Sequence, residues 1–377
     1  MANNPTRMVS LDAFRGLTMA GMVIVNNPGD WGHAYWPLQH AEWNGCTPTD
    51  LIFPFFLFIV GVSLTLSRGT MGNPWKIVKR AGVIFGLGFL LTFWPRFDLA
   101  VVRIPGVLPR IAVCYLATAF VFRATAPQGE PSDASRFVHA LYLGALAVGL
   151  TLAYWLVMTW VPAPGGVAGD LTPSGNLGAW VDRSLLGGHL WSQSKTWDPE
   201  GILSTVPAIA STLVGAVAGL WLASSAAMKD KAIRMGAAGV MAMALGYVWS
   251  FAFPLNKSLW TSSYVWFTGG AAALLLACCA GIIDVYGWKR WSRPFVILGL
   301  NAITLFVLSG YLAKQMGLIR WAGTDGKVIS LSRYVYTTWF VPLADPYNAS
   351  LLYACANLVV LFGVLYVMDR RGLYLKA

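Results

Sequence analysis

A short segment near the N-terminus carries an unusual density of side chains able to do chemistry. Between two apolar stretches, asparagine, histidine and carboxylate side chains follow in close succession: Asn26, Asn27, His33, His40, Glu42, Asn44 and Asp50. Polar and ionisable groups beside or inside a hydrophobic layer are costly unless they face one another or a hydrated cavity. Their clustering therefore indicates an active site or a transport site.

His40 is the residue that we expect to carry the chemistry. A neutral imidazole titrates near physiological pH, so it can take a proton from an attacking amine or hydroxyl and return it to a leaving group. Asp50 would orient His40 or stabilise the imidazolium that forms. Each residue also has a purely structural interpretation. His40 could cap a helix at the membrane interface, and Asp50 could cap a helix N-terminus and interact with its dipole.

The remaining polar residues of this segment are expected to contact the reactants. Asn26 would donate to an acyl carbonyl oxygen, unless it is an ordinary helix end. Asn27, Glu42 and Asn44 are predicted to bind substrate at the rim of the site. Cys46 lies in the same segment, but no cationic environment can be read for it, so we expect no nucleophilic role.

Cationic residues further along the chain suggest an anionic ligand. Arg103 and Arg110 bracket the sequence IPGVLP, and two guanidiniums at a membrane boundary need anionic partners or a hydrated cavity. The phosphates of a nucleotide-like cofactor would satisfy them, and so would Asp98 or a lipid headgroup. We assign further cofactor contacts to Lys76, Lys79, Arg80 and Asn301. Asn301, placed mid-helix in ILGLNAITLF, could equally join two helices through its amide.

The composition places these residues in a membrane protein. The chain of 377 residues is 56% hydrophobic and 11% charged. A span of the hydrocarbon layer needs about 20 apolar residues. On that scale ten spans are predicted, at 13–27, 51–67, 81–95, 106–122, 138–161, 202–224, 235–253, 264–283, 294–317 and 348–368. The expected fold is an all-α polytopic bundle forming a single domain over 1–377, with a polar, re-entrant-like loop between its first two helices.

The distribution of charge sets the expected orientation. The net charge is +11, and with the N-terminus inside, 17 of the 27 Lys and Arg residues fall on the cytoplasmic side, among them Arg7, Arg68 and Lys376. This bias favours cytoplasmic N and C termini by the positive-inside rule. The basic character therefore reflects topology, and we expect no nucleic-acid partner.

Three other features concern organisation. The segment 161–201, rich in Pro, Gly and Trp, is predicted to be a periplasmic lid whose Trp191 and Trp197 stack on a sugar ring. Close helix contacts are predicted at the glycine pairs Gly82/Gly86 and Gly215/Gly219. The segment 333–347 is too short to span and should form a half-helix or an amphipathic stretch. No metal-ligand cluster of usable spacing is present, so no metal cofactor is expected.

Three sequence blocks resemble a known family. SLDAFRGLTMAGMVIVNNPG, QHAEWNGCTPTDLIFPFFLFIVGVSL and RIPGVLPRIAVCY, all within residues 10–115, are similar to the heparan-alpha-glucosaminide N-acetyltransferase family. Those transmembrane acyltransferases move acetyl from cytosolic acetyl-CoA to a sugar amine across the bilayer. The resemblance places the family's catalytic histidine on His40, its paired asparagine on Asn26 and its aspartate on Asp50.

The resemblance also implies the partners. It predicts acetyl-CoA as co-substrate, a bacterial inner-membrane location surrounded by lipid, and a homodimer. We expect the protein to lack the large lumenal N-terminal domain of the lysosomal members, and we therefore expect the acceptor to be free glucosamine or a related small amino sugar in the periplasm. Two alternatives stay open: an O-acyltransferase of cell-surface glycans, and a transporter of amino sugars or peptides. The absence of a visible inverted repeat weighs against transport.

Overall fold

The fold is described by a computed structural model over residues 8–67, 73–127, 129, 131–323 and 327–375. Arg7, Arg68 and Lys376, which contribute to the predicted topology, lie outside the described residues. The cytoplasmic location of both termini stays a prediction.

Thirteen α-helices account for most of the described chain. Their bounds are α1 Val9–Asn26, α2 Ile52–Leu66, α3 Pro74–Phe93, α4 Val107–Thr125, α5 Asp133–Trp160, α6 Leu177–Leu186, α7 Thr205–Leu222, α8 Met228–Trp249, α9 Ser262–Cys279, α10 Arg293–Leu300, α11 Ala302–Leu318, α12 Leu331–Val335 and α13 Pro346–Arg370. Each predicted span falls on one of these helices or, in one case, on the pair α10 and α11.

The hydropathy of the helices supports a polytopic membrane protein. Among the described residues, seven helices are long and apolar enough to cross a membrane, and the bent pair α10–α11 would make an eighth. The two other predicted spans correspond to α1, which carries Asp12 and Arg15, and to α3, whose first turns carry three cationic residues. The predicted total of ten spans therefore stays a prediction.

Short polar residues set where several helices begin. Asn73 lies just before α3, and its side chain accepts a hydrogen bond from the backbone N–H of Trp75 in the first turn. Asp345 caps α13 in the same way. Pro74 and Pro346 follow these caps directly. Proline is well tolerated in a first helical turn because the backbone N–H that it lacks has no partner within the helix.

The helices form two compact units that alternate along the sequence. The first unit combines the chain up to His40, the segment Thr47–Ile52 and the chain from Ile282 onward. Within it, α1 packs on α10 and α13. A Cβ built on Gly16 would lie 1.7 Å from the carbonyl oxygen of Phe295, and one on Gly299 would lie 2.1 Å from that of Asp12. The backbones of α1 and α10 therefore touch, and no larger residue fits at either position.

The structure corrects the continuous span predicted at 294–317. The helix breaks at Asn301, and α10 and α11 are bent by 72° relative to each other. Asn301 is fully buried and has a non-helical backbone conformation, with φ −115° and ψ 38°. Its side-chain amide donates to the carbonyl of Leu373 at 3.3 Å and accepts from the backbone N–H of Leu375 at 3.1 Å. The C-terminal segment thus satisfies the amide at the break.

The second unit comprises Ala41–Cys46 and Phe53–Gly281. In it α8 packs on α9, α5 on α7, and α3 on α4. The close approach predicted at Gly215 and Gly219 is confirmed, since added Cβ atoms would lie 2.1 Å from the Phe58 carbonyl oxygen and 1.9 Å from Thr65 Oγ1. The prediction for Gly82 and Gly86 is wrong, because no described residue comes within 4 Å of a Cβ built at either position.

The connections between helices contain little regular structure. Segment 161–204 holds α6, whose N-terminus is capped by the Asn176 side chain. Residues 336–343 form short helical turns after α12, as expected of a segment too short to span. A small antiparallel hairpin pairs β1 Arg320–Ala322 with β2 Val328–Ser330, which adds two short strands to the predicted all-α fold.

Candidate active site

The loop between α1 and α2 is built from three 3₁₀ turns: Trp31–His33, Trp36–Leu38 and Pro48–Leu51. Its last turn is held by a reciprocal cap. The backbone N–H of Thr47 donates to Asp50 Oδ2 at 3.1 Å, and the Thr47 hydroxyl lies 3.0 Å from the same oxygen. This capping box fixes the Asp50 carboxylate immediately before α2.

The structure brings His40 and Asp50 together. His40 Nδ1 lies 2.7 Å from Asp50 Oδ1, and both residues belong to the first unit. The Asp50 side chain is 1% exposed and the His40 side chain is 49% exposed. A buried carboxylate therefore supports an imidazole that reaches solvent, as in the arrangement of a catalytic histidine and its orienting carboxylate.

This contact determines the tautomer of the neutral imidazole, that is, which ring nitrogen carries the proton. An ionised carboxylate only accepts hydrogen bonds, so Nδ1 must carry the proton and Nε2 the basic lone pair. Asp50 also stabilises the imidazolium that forms when Nε2 takes a second proton. This arrangement is the one that general base catalysis by a histidine requires.

The asparagines at the end of α1 are placed differently from each other. Asn26 is the last residue of α1 and is exposed, and its predicted role toward an acyl oxygen stays a prediction. The Asn27 side chain donates to the carbonyl oxygen of Val23 at 2.8 Å and to Ser309 Oγ at 3.3 Å. Asn27 thus also ties the end of α1 to α11.

The segment Ala41–Cys46 follows His40 directly and packs in the second unit. Glu42 and Asn44 are exposed. The Asn44 side-chain oxygen accepts a hydrogen bond from Asn256 Nδ2 at 3.1 Å, and Gly45 N donates to the Leu255 carbonyl oxygen at 2.7 Å. Asn256 is fully buried, and the sequence analysis did not single it out although Lys257 and Ser258 follow it directly.

Arg103 has anionic partners within the protein. Its guanidinium donates to both carboxylate oxygens of Asp198, at 2.8 Å and 2.5 Å, and also to Glu200. These carboxylates hold the pKa of Arg103 above its ordinary value although burial acts in the opposite direction. Asp98, which the sequence suggested as a partner, instead accepts from the backbone of Ala100. The ion pair ties segment 161–204 to the residues before α4.

Arg103→Lys should destabilise the second unit. Lysine keeps the charge but cannot reproduce the two parallel hydrogen bonds to Asp198, and hydrogen bonds to charged groups contribute about 1.5–3 kcal/mol. We expect a loss of this size in the free energy of unfolding, measured by denaturant titration in detergent. The exposed Arg96→Lys serves as the matched control and should leave stability unchanged. Equal stability of the two variants would contradict a structural role for the Arg103 fork.

Arg110 is almost completely buried, with 2% exposure, in the first turn of α4. Its Nη2 donates to the carbonyl oxygen of Gly201 at 3.0 Å and to Ser204 Oγ at 2.5 Å, and the guanidinium lies 5.2 Å from the ring centre of Trp260. Among the described residues, Nε and Nη1 have no hydrogen-bond partner. Of the two arginines predicted to contact an anionic ligand, Arg110 is therefore the one with N–H donors left for an anionic or carbonyl oxygen.

The other predicted contacts lie in the second unit or at the helix break. Trp191 and Trp197 pack edge to face with ring centres 5.7 Å apart, and Trp43 packs on Trp197 at 5.1 Å. Lys76, Lys79 and Arg80 are exposed in the first turns of α3. Arg80 lies over the Tyr115 ring at 5.1 Å. The Asn301 side-chain amide forms hydrogen bonds to the C-terminal backbone through both its nitrogen and its oxygen, as described above. Its predicted cofactor contact stays a prediction.

A buried carboxylate in α6 gives segment 161–204 a pH-dependent stability. Asp182 is 3% exposed, and burial raises its pKa to about 6, although it accepts from the backbone N–H groups of Ile202 and Asp198 at 2.8 and 3.3 Å. A carboxyl whose pKa is raised on folding favours the folded state below its unfolded pKa, and this contribution is lost as the pH rises through the folded pKa.

Asp182→Asn should remove this dependence. We expect the variant to gain stability relative to the wild type as the pH rises from 4 to 7, measured as the difference in unfolding free energy at each pH. The exposed Asp230→Asn, a carboxylate of the same unit, provides the control. A difference that is constant over this range would contradict the raised pKa.

Comparison with known proteins identifies the family of this chain. The family model described as heparan-alpha-glucosaminide N-acetyltransferase, catalytic, matches residues 7–165, which include His40, Asp50 and Arg110. The human heparan-alpha-glucosaminide N-acetyltransferase is 32% identical over 359 residues, covering 80% of this chain and 52% of the human protein. The mouse protein is 31% identical over 356 residues, covering 81% and 53%. The chain spans about half the length of these curated relatives. It belongs to the heparan-alpha-glucosaminide N-acetyltransferase family.

Proposed function

We propose that this protein is a transmembrane N-acetyltransferase that moves acetyl from cytosolic acetyl-CoA to the amine of glucosamine or a related small amino sugar on the periplasmic side. The observation that carries the proposal is the His40–Asp50 pair, in which a carboxylate that is 1% exposed holds an imidazole that is 49% exposed. Family membership supports the acetyl-CoA and amino-sugar chemistry, and the apolar helices support a multi-pass membrane location, which we take to be a bacterial inner membrane.

The proposed step is direct transfer. The amine attacks the thioester carbonyl carbon, so a C–N bond forms and the C–S bond breaks. His40 Nε2 takes the proton released by the amine, and the imidazolium returns a proton to the departing thiolate of CoA. Asp50 stabilises the imidazolium through Nδ1. A general base and the proximity of the two reactants supply most of the lowering of the barrier that an amine nucleophile needs. No covalent enzyme intermediate is therefore required.

Several residues are proposed to hold the acyl donor. Arg110 Nε and Nη1 are buried donors without a protein partner among the described residues, and an oxygen of the donor would satisfy them. The exposed cations Lys76, Lys79 and Arg80 at the start of α3 suit phosphate groups on the cytoplasmic side. Asn26 is proposed to donate to the acyl oxygen. A homodimer is proposed from the family resemblance.

An acceptor screen tests the proposal. Purified protein in proteoliposomes would receive acetyl-CoA together with glucosamine, and the free thiol of CoA would be measured. N-acetylglucosamine, whose amine is already blocked, is the matched control. We expect thiol release with glucosamine and none above background with the control. Equal release with both sugars, or with neither, would contradict N-acetyl transfer to this amine.

One observation favours the transport alternative. The break of 72° between α10 and α11 interrupts a span, and discontinuous helices often line the binding sites of transporters. Uptake of labelled glucosamine into proteoliposomes without acetyl-CoA would support transport. We expect no uptake, because the Asn301 amide at the break already pairs with the backbone of Leu373 and Leu375.

A further inference from the structure

The connection between α11 and α13 meets a single face of the membrane. α11 ends at Leu318 and α13, which is long and apolar enough to span, begins at Pro346. Between them, the hairpin strands have three residues each, and α12 with the turns after it covers 331–343. A helical run of this length is too short to cross the hydrocarbon layer. Both ends of the connection therefore lie at the same membrane surface.

The depth of the connection can be read from α13. The first residues of this helix, PYNAS at 346–350, are polar or small, and its strongly apolar part begins at Leu351. Tyr353 lies two residues further, so it is close to the membrane boundary, since a helix rises by about 1.5 Å per residue. The rings of Tyr336 and Phe340 pack edge to face on Tyr353, with ring centres 5.9 and 5.4 Å away. The turns that carry them are therefore held at the level of the boundary.

The turns after α12 have a buried side and an exposed apolar side. Tyr336 is 3% exposed and forms a small core with Ala349 and Tyr353. Trp339 and Leu343 are 63% and 70% exposed, and Val341 between them is exposed as well. Neighbouring apolar side chains that stay exposed outside a span indicate a membrane or protein contact, and tryptophan is enriched where membrane meets water. Their position at the boundary favours lipid.

The hairpin brings two arginines to the same serine. Arg320 of β1 is paired with Ser330 of β2 in the antiparallel register, which places their Cα atoms about 5 Å apart. Ser330 caps α12 by accepting a hydrogen bond from the backbone N–H of Arg333 at 3.3 Å. Both arginines are exposed, and the Ser330 and Ser332 hydroxyls lie 3.0 Å apart. Because guanidinium groups match the geometry of phosphate oxygens, this pair suits the phosphate of a phospholipid headgroup.

We propose that the connection between α11 and α13 is an interfacial element that binds phospholipid. Trp339, Val341 and Leu343 insert at the boundary of the acyl chains. Arg320 and Arg333 bind headgroup phosphates beside them. Segments that lie in the plane of a membrane combine apolar and cationic side chains in this way. The element is independent of the proposed acetyl transfer, because none of these residues is required by that step.

The same element holds the α1–α2 loop near the membrane surface. A Cβ on Gly29 would lie 2.4 Å from the Tyr336 ring, so the loop approaches the interfacial element directly. The backbone of Asp30 exchanges two hydrogen bonds of 3.0 Å with Ser350 Oγ at the start of α13. These contacts all belong to the first unit. The loop that leads to His40 therefore begins at the level of the membrane boundary.

Nitroxide accessibility in proteoliposomes tests the lipid contact. Trp339→Cys and Leu343→Cys would be spin-labelled one at a time, after Cys278→Ala has removed an exposed native cysteine. Gln193→Cys, at an exposed position of segment 161–204, is the control for a label in water. Collisions with oxygen, which concentrates in lipid, should exceed those with a water-soluble nickel chelate at both test sites. We expect the reverse order at the control site.

Lipid titration tests the contact of the two arginines. The double variant Arg320→Gln/Arg333→Gln should bind phosphatidylglycerol about tenfold more weakly than the wild type, because hydrogen bonds to a charged group contribute enough for that factor. Delipidated protein would be titrated and followed by native mass spectrometry. Arg96→Gln/Lys229→Gln removes the same charge at exposed positions elsewhere and should bind like the wild type.

Each measurement can overturn its part of the proposal. If the labels at both test sites show the accessibility of the control site, the turns after α12 face water and the lipid contact is excluded. Equal binding of phosphatidylglycerol by the wild type and the double arginine variant would exclude the headgroup contact. Neither result depends on whether the protein transfers acetyl groups.

Discussion

Replacing His40 by alanine should reduce kcat for acetyl transfer to glucosamine by about 10²–10⁴-fold, the usual contribution of a positioned general base. The variant loses the imidazole whose Nδ1 lies 2.7 Å from Asp50 Oδ1, and with it the proposed proton acceptor Nε2. The nucleophile would then depend on water to take its proton. The measurement is CoA thiol release at saturating acetyl-CoA and glucosamine.

His189→Gln is the matched control for His40→Ala. His189 Nδ1 lies 2.8 Å from the carbonyl oxygen of Val102, a hydrogen bond that a glutamine amide can replace. We expect this variant to turn over at the wild-type rate. Both variants should elute and melt like the wild type, because the His40 side chain is half exposed. A His40→Ala protein within threefold of the wild-type rate would exclude His40 as the base.

Asp50→Asn should reduce kcat by a similar factor, about 10²–10⁴-fold, for a reason that the hydrogen bonds make explicit. Asp50 Oδ2 accepts from the Thr47 backbone while Oδ1 faces His40 Nδ1. If the asparagine oxygen accepts from Thr47, its NH₂ group faces Nδ1. The imidazole must then carry its proton on Nε2, where the lone pair is needed.

This variant also tests the structural reading of Asp50. Loss of the negative charge at the start of α2 should cost about 0.3–1 kcal/mol of stability, so the unfolding free energy must be measured beside kcat. Thr47→Val disturbs the same turn through the hydroxyl that lies 3.0 Å from Oδ2 but keeps the carboxylate, and it controls for loosening of the cap. If both variants lose activity in proportion to their stability, Asp50 acts as a helix cap and not on His40.

Hydropathy predicted where the helices lie, and residue type predicted the contact between His40 and Asp50. Apolar runs of sufficient length located the helices because burying backbone polar groups in a membrane requires helical hydrogen bonding. His40 and Asp50 were paired from chemistry and resemblance, and the structure places them in contact across only ten residues of sequence. A local turn closed by a capping box can be read from a short segment.

Long-range partners could not be read in this way. Asp198 lies 95 residues from Arg103, and nothing in a single sequence distinguishes it from the nearby Asp98. The break at Asn301 depends on backbone groups 72 and 74 residues away, so the flanking apolar sequence predicted a continuous helix. Likewise, glycine spacing fitted both Gly82/Gly86 and Gly215/Gly219, but spacing does not indicate which helix face meets a neighbour.

A two-step labelling measurement tests direct acetyl transfer with His40 as the base. Purified protein is incubated with acetyl-CoA carrying a labelled acetyl group, first without acceptor and then with glucosamine. We expect no label on the protein in the first step and labelled N-acetylglucosamine, equimolar with free CoA, in the second. Stable label on His40 before glucosamine is added would contradict direct transfer, and absence of labelled sugar afterwards would contradict the transferase itself.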